Sequence, residues 1–176
     1  MTRNPVRPRG LKAGGVYVLD DQEVVRRGLH HLIVSAGLVV AGESGSAREA
    51  SRRIPALRPV MAVLDDDLPD GSGVDVCRAV AAADPPIRCI LMTGDDDESV
   101  LIESVLAGAW GCLSKLDDSG EQLSLVRRVL AGQTAYSSRF LPGLLGQVSG
   151  ELTVRRRRSC VCRTGKPPSP SVWPEV

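Results

Sequence analysis

The sequence has 176 residues, 43% hydrophobic and 24% charged, the balance of an ordinary globular chain with room for one domain and a small appendage. No apolar run approaches the roughly 18–20 residues of a membrane span, and the N-terminus lacks a secretory stretch, so a cytoplasmic protein without membrane contact is expected. The formal charge of +1 hides two basic ends around an acidic body: residues 1–15 carry four bases and no acid, residues 151–176 six bases and two acids.

Residues 1–14, with Pro, Gly and Arg but no periodicity, read as a flexible extension. Val16–Leu19 is a short apolar run ending in Asp20-Asp21. Gln22–Ala36 then sets Val25, Leu29, Leu32, Ile33 and Ala36 at helical spacing. Leu38–Ala41 is a second apolar run, ending at Gly42-Glu43. Ser46, with Glu49 three residues on, predicts a capped helix that ends near Pro55. Val60–Leu64 is a third run and ends at Asp65. A turn-rich loop over 66–73 leads to a helix over 74–83, stopped by Pro85-Pro86. Arg88–Met92 is a fourth run, ending at Thr93, and Asp96–Gly108 reads as helix. Trp110–Ser114 is a fifth run, ending at Lys115, the single lysine of the acidic body. A helix over 119–131 sets Leu123, Val126 and Leu130 on one face. Of the five cysteines, Cys77 and Cys89 read as small core residues, and Cys160-x-Cys162 is a weak metal or redox hint.

Five strands alternating with five helices predict an α/β fold with a doubly wound, five-stranded parallel sheet. Ligands of such sheets bind beyond the carboxyl ends of the strands. Four of the five predicted ends carry polar groups: Asp20-Asp21, Asp65, Thr93 and Lys115. Adjacent carboxylates repel, and Mg²⁺ relieves that repulsion with oxygen ligands. A carboxylate also serves as a nucleophile toward phosphorus, while a hydroxyl and an ammonium bind the remaining phosphoryl oxygens. Each residue has a plainer reading taken alone. Asp20-Asp21 and Thr93 could cap the helices that follow, Asp65–Asp67 could be a solvated turn, and Lys115 a surface lysine. Their joint occurrence at successive strand ends favours acceptance of a phosphoryl group.

The segments 16–29, 63–73, 91–94 and 107–115 together resemble the receiver domain of two-component response regulators. Within that family the likeness is to the LuxR-type, dormancy-regulator-like subfamily, whose members carry a C-terminal helix-turn-helix. The resemblance implies a flavodoxin-like receiver with strand order 2-1-3-4-5 over 15–132. It implies that Asp65 takes a phosphoryl group from a sensor histidine kinase. It implies that Asp20, Asp21, Asp65 and the backbone carbonyl of Asp67 hold Mg²⁺, and that Thr93 and Lys115 bind the phosphoryl group and switch the surface. A homodimer, or a heterodimer with a paralogous regulator, would read out the switch. The position of the usual switch aromatic is taken here by Cys112. Trp110, two residues earlier, is expected on the same side of the pleat as a partial substitute. Asp66 stands where an apolar residue is common, and Leu116 where Pro or Asp is common.

Residues 133–150 read as a linker, with a helix over 137–149 weakened by Pro142, Gly143 and Gly146. Residues 150–155 resemble the opening of a LuxR-type DNA-binding domain, and the likeness stops at Arg155. Residues 151–176 are therefore expected to be a disordered basic tail, the remnant of an output domain whose frame shifted near Arg155, with specific DNA binding doubtful. Two other functions compete. One is a DNA-binding regulator with an intact output. The other is a haloacid-dehalogenase-type phosphatase using Asp65, Asp67, Thr93, Lys115 and Asp117-Asp118.

Overall fold

The computed structural model describes residues 14–83, 87–94 and 98–140. The expectations for 1–13, Pro85-Pro86 and the tail beyond 140 lie outside the described residues. The elements in chain order are β1 (Val16–Leu19), α1 (Glu23–Ser35), β2 (Val40–Ser44), α2 (Ala47–Leu57) and β3 (Met61–Asp65). A two-residue pair β4 (Asp67–Leu68) and β5 (Gly71–Ser72) follows, then α3 (Gly73–Ala83), β6 (Arg88–Thr93) and α4 (Glu98–Leu106). The last are β7 (Gly111–Ser114), α5 (Ser119–Leu130), β8 (Ala135–Tyr136) and a 3₁₀ turn over Ser138–Phe140.

The main sheet is parallel, in the order β2-β1-β3-β6-β7-β8. Its first five strands reproduce the expected doubly wound order. The order reverses between β1 and β3, which opens a crevice at their carboxyl ends. On one face Val16, Val18, Met61, Val63, Ile90, Met92 and Leu113 pack with Leu29, Leu32 and Ile33 of α1 and Leu125, Val126 and Val129 of α5. These strand residues recur every second position, as the pleat requires. The alternate residues, among them Tyr17, Leu19, Leu64 and Leu91, are equally buried and face α2, α3 and α4. Burial on both faces explains why the central strands are continuous apolar runs.

Three local expectations need correction. The second strand is Val40–Ser44, not Leu38–Ala41. It lies at an edge, where partly solvated positions tolerate Gly42 and Glu43, the buried Ser44 is satisfied by Glu49, and pairing of Leu19 with Ser44 draws it forward. Helix α2 runs past Pro55 to Leu57 and ends at Arg58 in the left-handed conformation, whose N–H reaches Ile54 O at 2.9 Å. A proline in the last turn removes one amide donor without unwinding what precedes it. Part of the expected linker is sheet: β8 pairs with β7 through Gly111–Ala135 and Cys112–Tyr136. A two-residue strand carries no periodic signal, so only its partner reveals it.

The Ser46 cap forms, its hydroxyl oxygen accepting from Glu49 N at 3.2 Å. The reciprocal arm does not form, because Glu49 binds Ser44 Oγ at 2.9 Å and Arg53 at 2.8 Å. Ser46 also donates to Asp70 at 2.7 Å, which ties α2 to the β4–β5 turn. Ser46→Ala is expected to cost about 1 kcal/mol, read from the urea midpoint; an unchanged midpoint would show the cap is redundant.

Candidate functional site

The site is assembled by chain direction. Asp20 follows β1, Asp65 ends β3, Thr93 ends β6 and Lys115 follows β7, so parallel strands deliver all four to one rim. Asp20 is fully buried, Asp65 is 1% exposed and Thr93 is 5% exposed. Asp21 is exposed at the mouth. Asp21, Gln22, Asp65, Asp67, Pro69 and Lys115 line an open cleft of about 200 Å³.

Lys115 reaches across it, with Nζ 2.7 Å from Asp65 Oδ2 and 3.0 Å from Asp20 Oδ2. Asp20 Oδ1 accepts from Gln22 N at 2.8 Å, a turn ahead of α1; the N-cap is Gln22 and no side chain caps the helix, so the capping reading of Asp20 fails. The other oxygen, Oδ2, is buried with no directed hydrogen bond and lies 3.0 Å from the Lys115 ammonium. Arg26 fixes the loop after β1 by donating to the carbonyls of Asp20 at 2.9 Å and Asp21 at 3.0 Å.

Burial pushes the Asp65 carboxyl up to about 6. The hydrogen bond from Lys115 opposes that rise, and the negative charge of Asp20 adds to it. Burial works against the Lys115 ammonium, yet its contacts with Asp65 and Asp20 prevail and hold its pKa above the ordinary lysine range.

One oxygen from each of Asp20, Asp21 and Asp65 falls in a group with all separations within 4.8 Å. Oxygen donors of this charge, drawn from two buried carboxylates and one exposed one, fit a hard divalent cation such as Mg²⁺. Asp66 does not join them, because its Oδ1 accepts from Ser72 Oγ at 3.0 Å and is turned toward the β4–β5 pair.

Cys112 is fully buried on the α4 side of the sheet, opposite to Leu113. Burial pushes its thiol up to about 12, against a hydrogen bond with Ser104 of α4. Trp110 is not on that side. It packs against the α1–α5 cluster, with the Arg88 guanidinium 5.2 Å from its ring centre. Arg88 in turn donates to Leu130 O at the end of α5 at 3.0 Å. The expected partial substitution fails because β7 begins at Gly111, so its alternation does not extend to Trp110. Leu116 is 57% exposed.

Asp117 and Asp118 have other work. Asp117 is buried and accepts from Ser114 N at 3.0 Å and Ser137 Oγ at 2.8 Å. Asp118 caps α5, accepting from Gly120 N at 2.8 Å and Glu121 N at 2.9 Å.

Sequence reasoning missed Gln22, Arg26, Pro69 and Gly73. Gln22 and Pro69 sit beside expected ligands in the chain and were legible only as neighbours. A Cβ on Gly73 would lie 2.1 Å from Asp65 O, so the glycine lets the backbone close behind the candidate nucleophile.

Residues 16–130 match the family described as the response regulator receiver domain. The DNA-binding transcriptional activator DevR/DosR of Mycobacterium tuberculosis (strain ATCC 25618 / H37Rv) is 40% identical over 137 residues, 77% of this chain and 63% of that protein. The chain thus spans less than two thirds of that relative's length. The chemotaxis protein CheY of Thermotoga maritima is 31% identical over 94 residues, 53% of this chain and 78% of that protein. Among solved structures, a LuxR-family two-component response regulator from Aurantimonas sp. SI85-9A1 superposes with a TM-score of 0.74 at 26% identity, covering 78% of this chain and 99% of that one. No helix among the described residues is long and apolar enough to cross a membrane.

Proposed function

The chain belongs to the response regulator receiver family, and on that premise we propose that it accepts a phosphoryl group on Asp65 from a sensor histidine kinase. The observation that carries this reading is the convergence of Asp65, Asp20, Asp21 and Lys115 on one cleft at the β1–β3 switch point. A carboxylate oxygen of Asp65 forms the new P–O bond as the P–N bond to the donor imidazole breaks, and the bonding pair stays with the imidazole nitrogen. Mg²⁺, when bound, would screen the carboxylates and the phosphoryl oxygens from one another. Asp20, Asp21, Asp65 and the Asp67 carbonyl are its proposed ligands. Lys115 exchanges its bond with Asp65 for one with a phosphoryl oxygen, and Thr93 binds another from the end of β6. The exposed mouth at Asp21 admits the donor, which a closed cavity would not.

The phosphatase reading is disfavoured by the use of Asp117 and Asp118 within the fold, which leaves no further carboxylate from that loop for the cleft. The kinship with transcriptional regulators favours a homodimer, or a heterodimer with a paralogous regulator, as the form that reads the switch. The expectations on an output through DNA fall on residues outside those described.

Incubation with acetyl phosphate and Mg²⁺ tests the assignment by intact mass. The native chain should gain one phosphoryl group and Asp65→Asn none. Equal labelling of both would remove Asp65 from the role.

A further inference from the structure

The segment after α5 is fastened to the loop that carries Lys115. Asp117 is the centre of the fastening. One carboxylate oxygen, Oδ2, accepts from Ser114 N at 3.0 Å, on the residue before Lys115. The other, Oδ1, accepts from Ser137 Oγ at 2.8 Å and pairs with Arg139 Nε at 3.2 Å. Arg139 Nη2 also donates to Leu116 O, the carbonyl just after Lys115, at 3.1 Å. Ser137 N donates to Cys112 O at 2.9 Å, continuing the β7–β8 ladder, and Ser138 donates to Glu121 of α5 through both its N–H and its hydroxyl. Phe140 is 1% exposed and anchors the far end. The residues on either side of Lys115 are thus held by Asp117 and Arg139, while its own N–H is held by Thr93 O at 2.7 Å.

We propose that Asp117, Ser137 and Arg139 form a latch that couples the Lys115 loop to Ala135–Phe140, so that a phosphoryl group on Asp65 loosens this segment from the sheet edge. The inference rests on the phosphoacceptor reading of Asp65. The latch is fitted to a loop whose lysine bonds directly to Asp65 and Asp20. A phosphoryl group placed between these groups draws Nζ off both carboxylates, and a shift of Ser114–Leu116 with it strains the bonds that these residues make to Asp117 and Arg139. Contacts made in one loop position and lost in the other are the differential interaction that any population shift requires. The coupling is reciprocal: a weakened latch favours phosphorylation as phosphorylation weakens the latch. The segment that loosens is the start of the path from the receiver to whatever follows in the chain.

The test is hydrogen exchange over 135–140 on the full chain, before and after acetyl phosphate with Mg²⁺, with phosphoryl occupancy followed by intact mass. Exchange in the native chain should accelerate about fivefold or more on phosphorylation. Asp65→Asn should show no such change under the same treatment. Arg139→Ala leaves the Asp117–Ser114 bond in place; it should exchange about fivefold faster than the native chain before treatment and gain little more on phosphorylation. Ser137→Ala should behave alike and guards against a misfolded Arg139 variant. Full phosphorylation with unchanged protection of 135–140, or latch variants as protected as the native chain before treatment, would overturn the latch while leaving Asp65 as acceptor. A native chain that takes no phosphoryl group would overturn the acceptor reading, and the latch with it.

Discussion

The Asp65→Asn chain should be more stable than the native chain at pH 7 in EDTA, by on the order of 2–3 kcal/mol. The sign follows from the raised pKa. Burial is the main cause, the Lys115 hydrogen bond opposes it and the Asp20 charge reinforces it, leaving the folded carboxyl at about 6 against an ordinary 3.8. Between about pH 4 and pH 6 the folded state therefore holds more protons at Asp65 than the unfolded state. Its contribution to stability falls as pH rises through that window, and above it the native chain bears the whole cost of a buried, charged carboxylate. Asparagine keeps the shape and discards the charge, so the advantage of the variant should shrink toward pH 4. Adding Mg²⁺ should also narrow it, because a cation held by the folded native chain stabilises that state by mass action. Urea unfolding across pH, with and without Mg²⁺, reads all three effects. A variant less stable than the native chain at pH 7 would show that Lys115 fully compensates the charge, and an advantage that persists unchanged at pH 4 would show that it does not arise from ionisation of Asp65.

Gly73→Ala carries the second large effect, a loss of about 3 kcal/mol or more together with loss of phosphorylation. The added Cβ would stand 2.1 Å from Asp65 O and 2.8 Å from its carbonyl carbon. Both are backbone atoms of a strand paired on each side, by β1 and by β6, so no side-chain rotation relieves the overlap. Either α3 moves away or the end of β3 does, and the second movement carries the Asp65 carboxylate out of reach of Lys115. Gly28→Ala is the control, because a Cβ there meets nothing within 4 Å and alanine suits a helix better than glycine. Urea midpoints and acetyl phosphate labelling of the two variants should diverge. A Gly73→Ala chain as stable and as readily labelled as the native chain would show that the α3 junction yields without moving Asp65.

The parts of the fold that were legible share one property: each announces itself within a short window. β1, α3, β6 and α5 begin and end within about a residue or two of where apolar runs, helical spacing and caps put them. Segments whose placement depends on a partner were read less well. β2 is shifted because its register is set by β1 across the edge. β8 falls in the stretch that reads as linker because two residues have no period of their own. Trp110 faces the α1–α5 cluster, against the alternation expected of it, because pleat alternation holds only inside a strand, and the strand starts one residue later.

The candidate site divides in the same way. The sequence alone determined that Asp20, Asp21, Asp65, Thr93 and Lys115 stand at successive strand ends, because a parallel sheet sends every carboxyl end to one rim whatever the loops do. It also determined that their chemistry suits Mg²⁺ and a phosphoryl group. Only the tertiary structure decided how the charges are shared. It gave one oxygen of Asp20 to the Gln22 amide ahead of α1 and left the other buried beside Lys115, and it turned Asp66 away to Ser72. It used Asp117 to fasten Ser137 and Arg139 to the lysine loop. The physical reason is range. Backbone geometry repeats over a few residues and can be read along the chain, whereas a carboxylate's partners are fixed by groups that folding brings from 22 or 50 positions away.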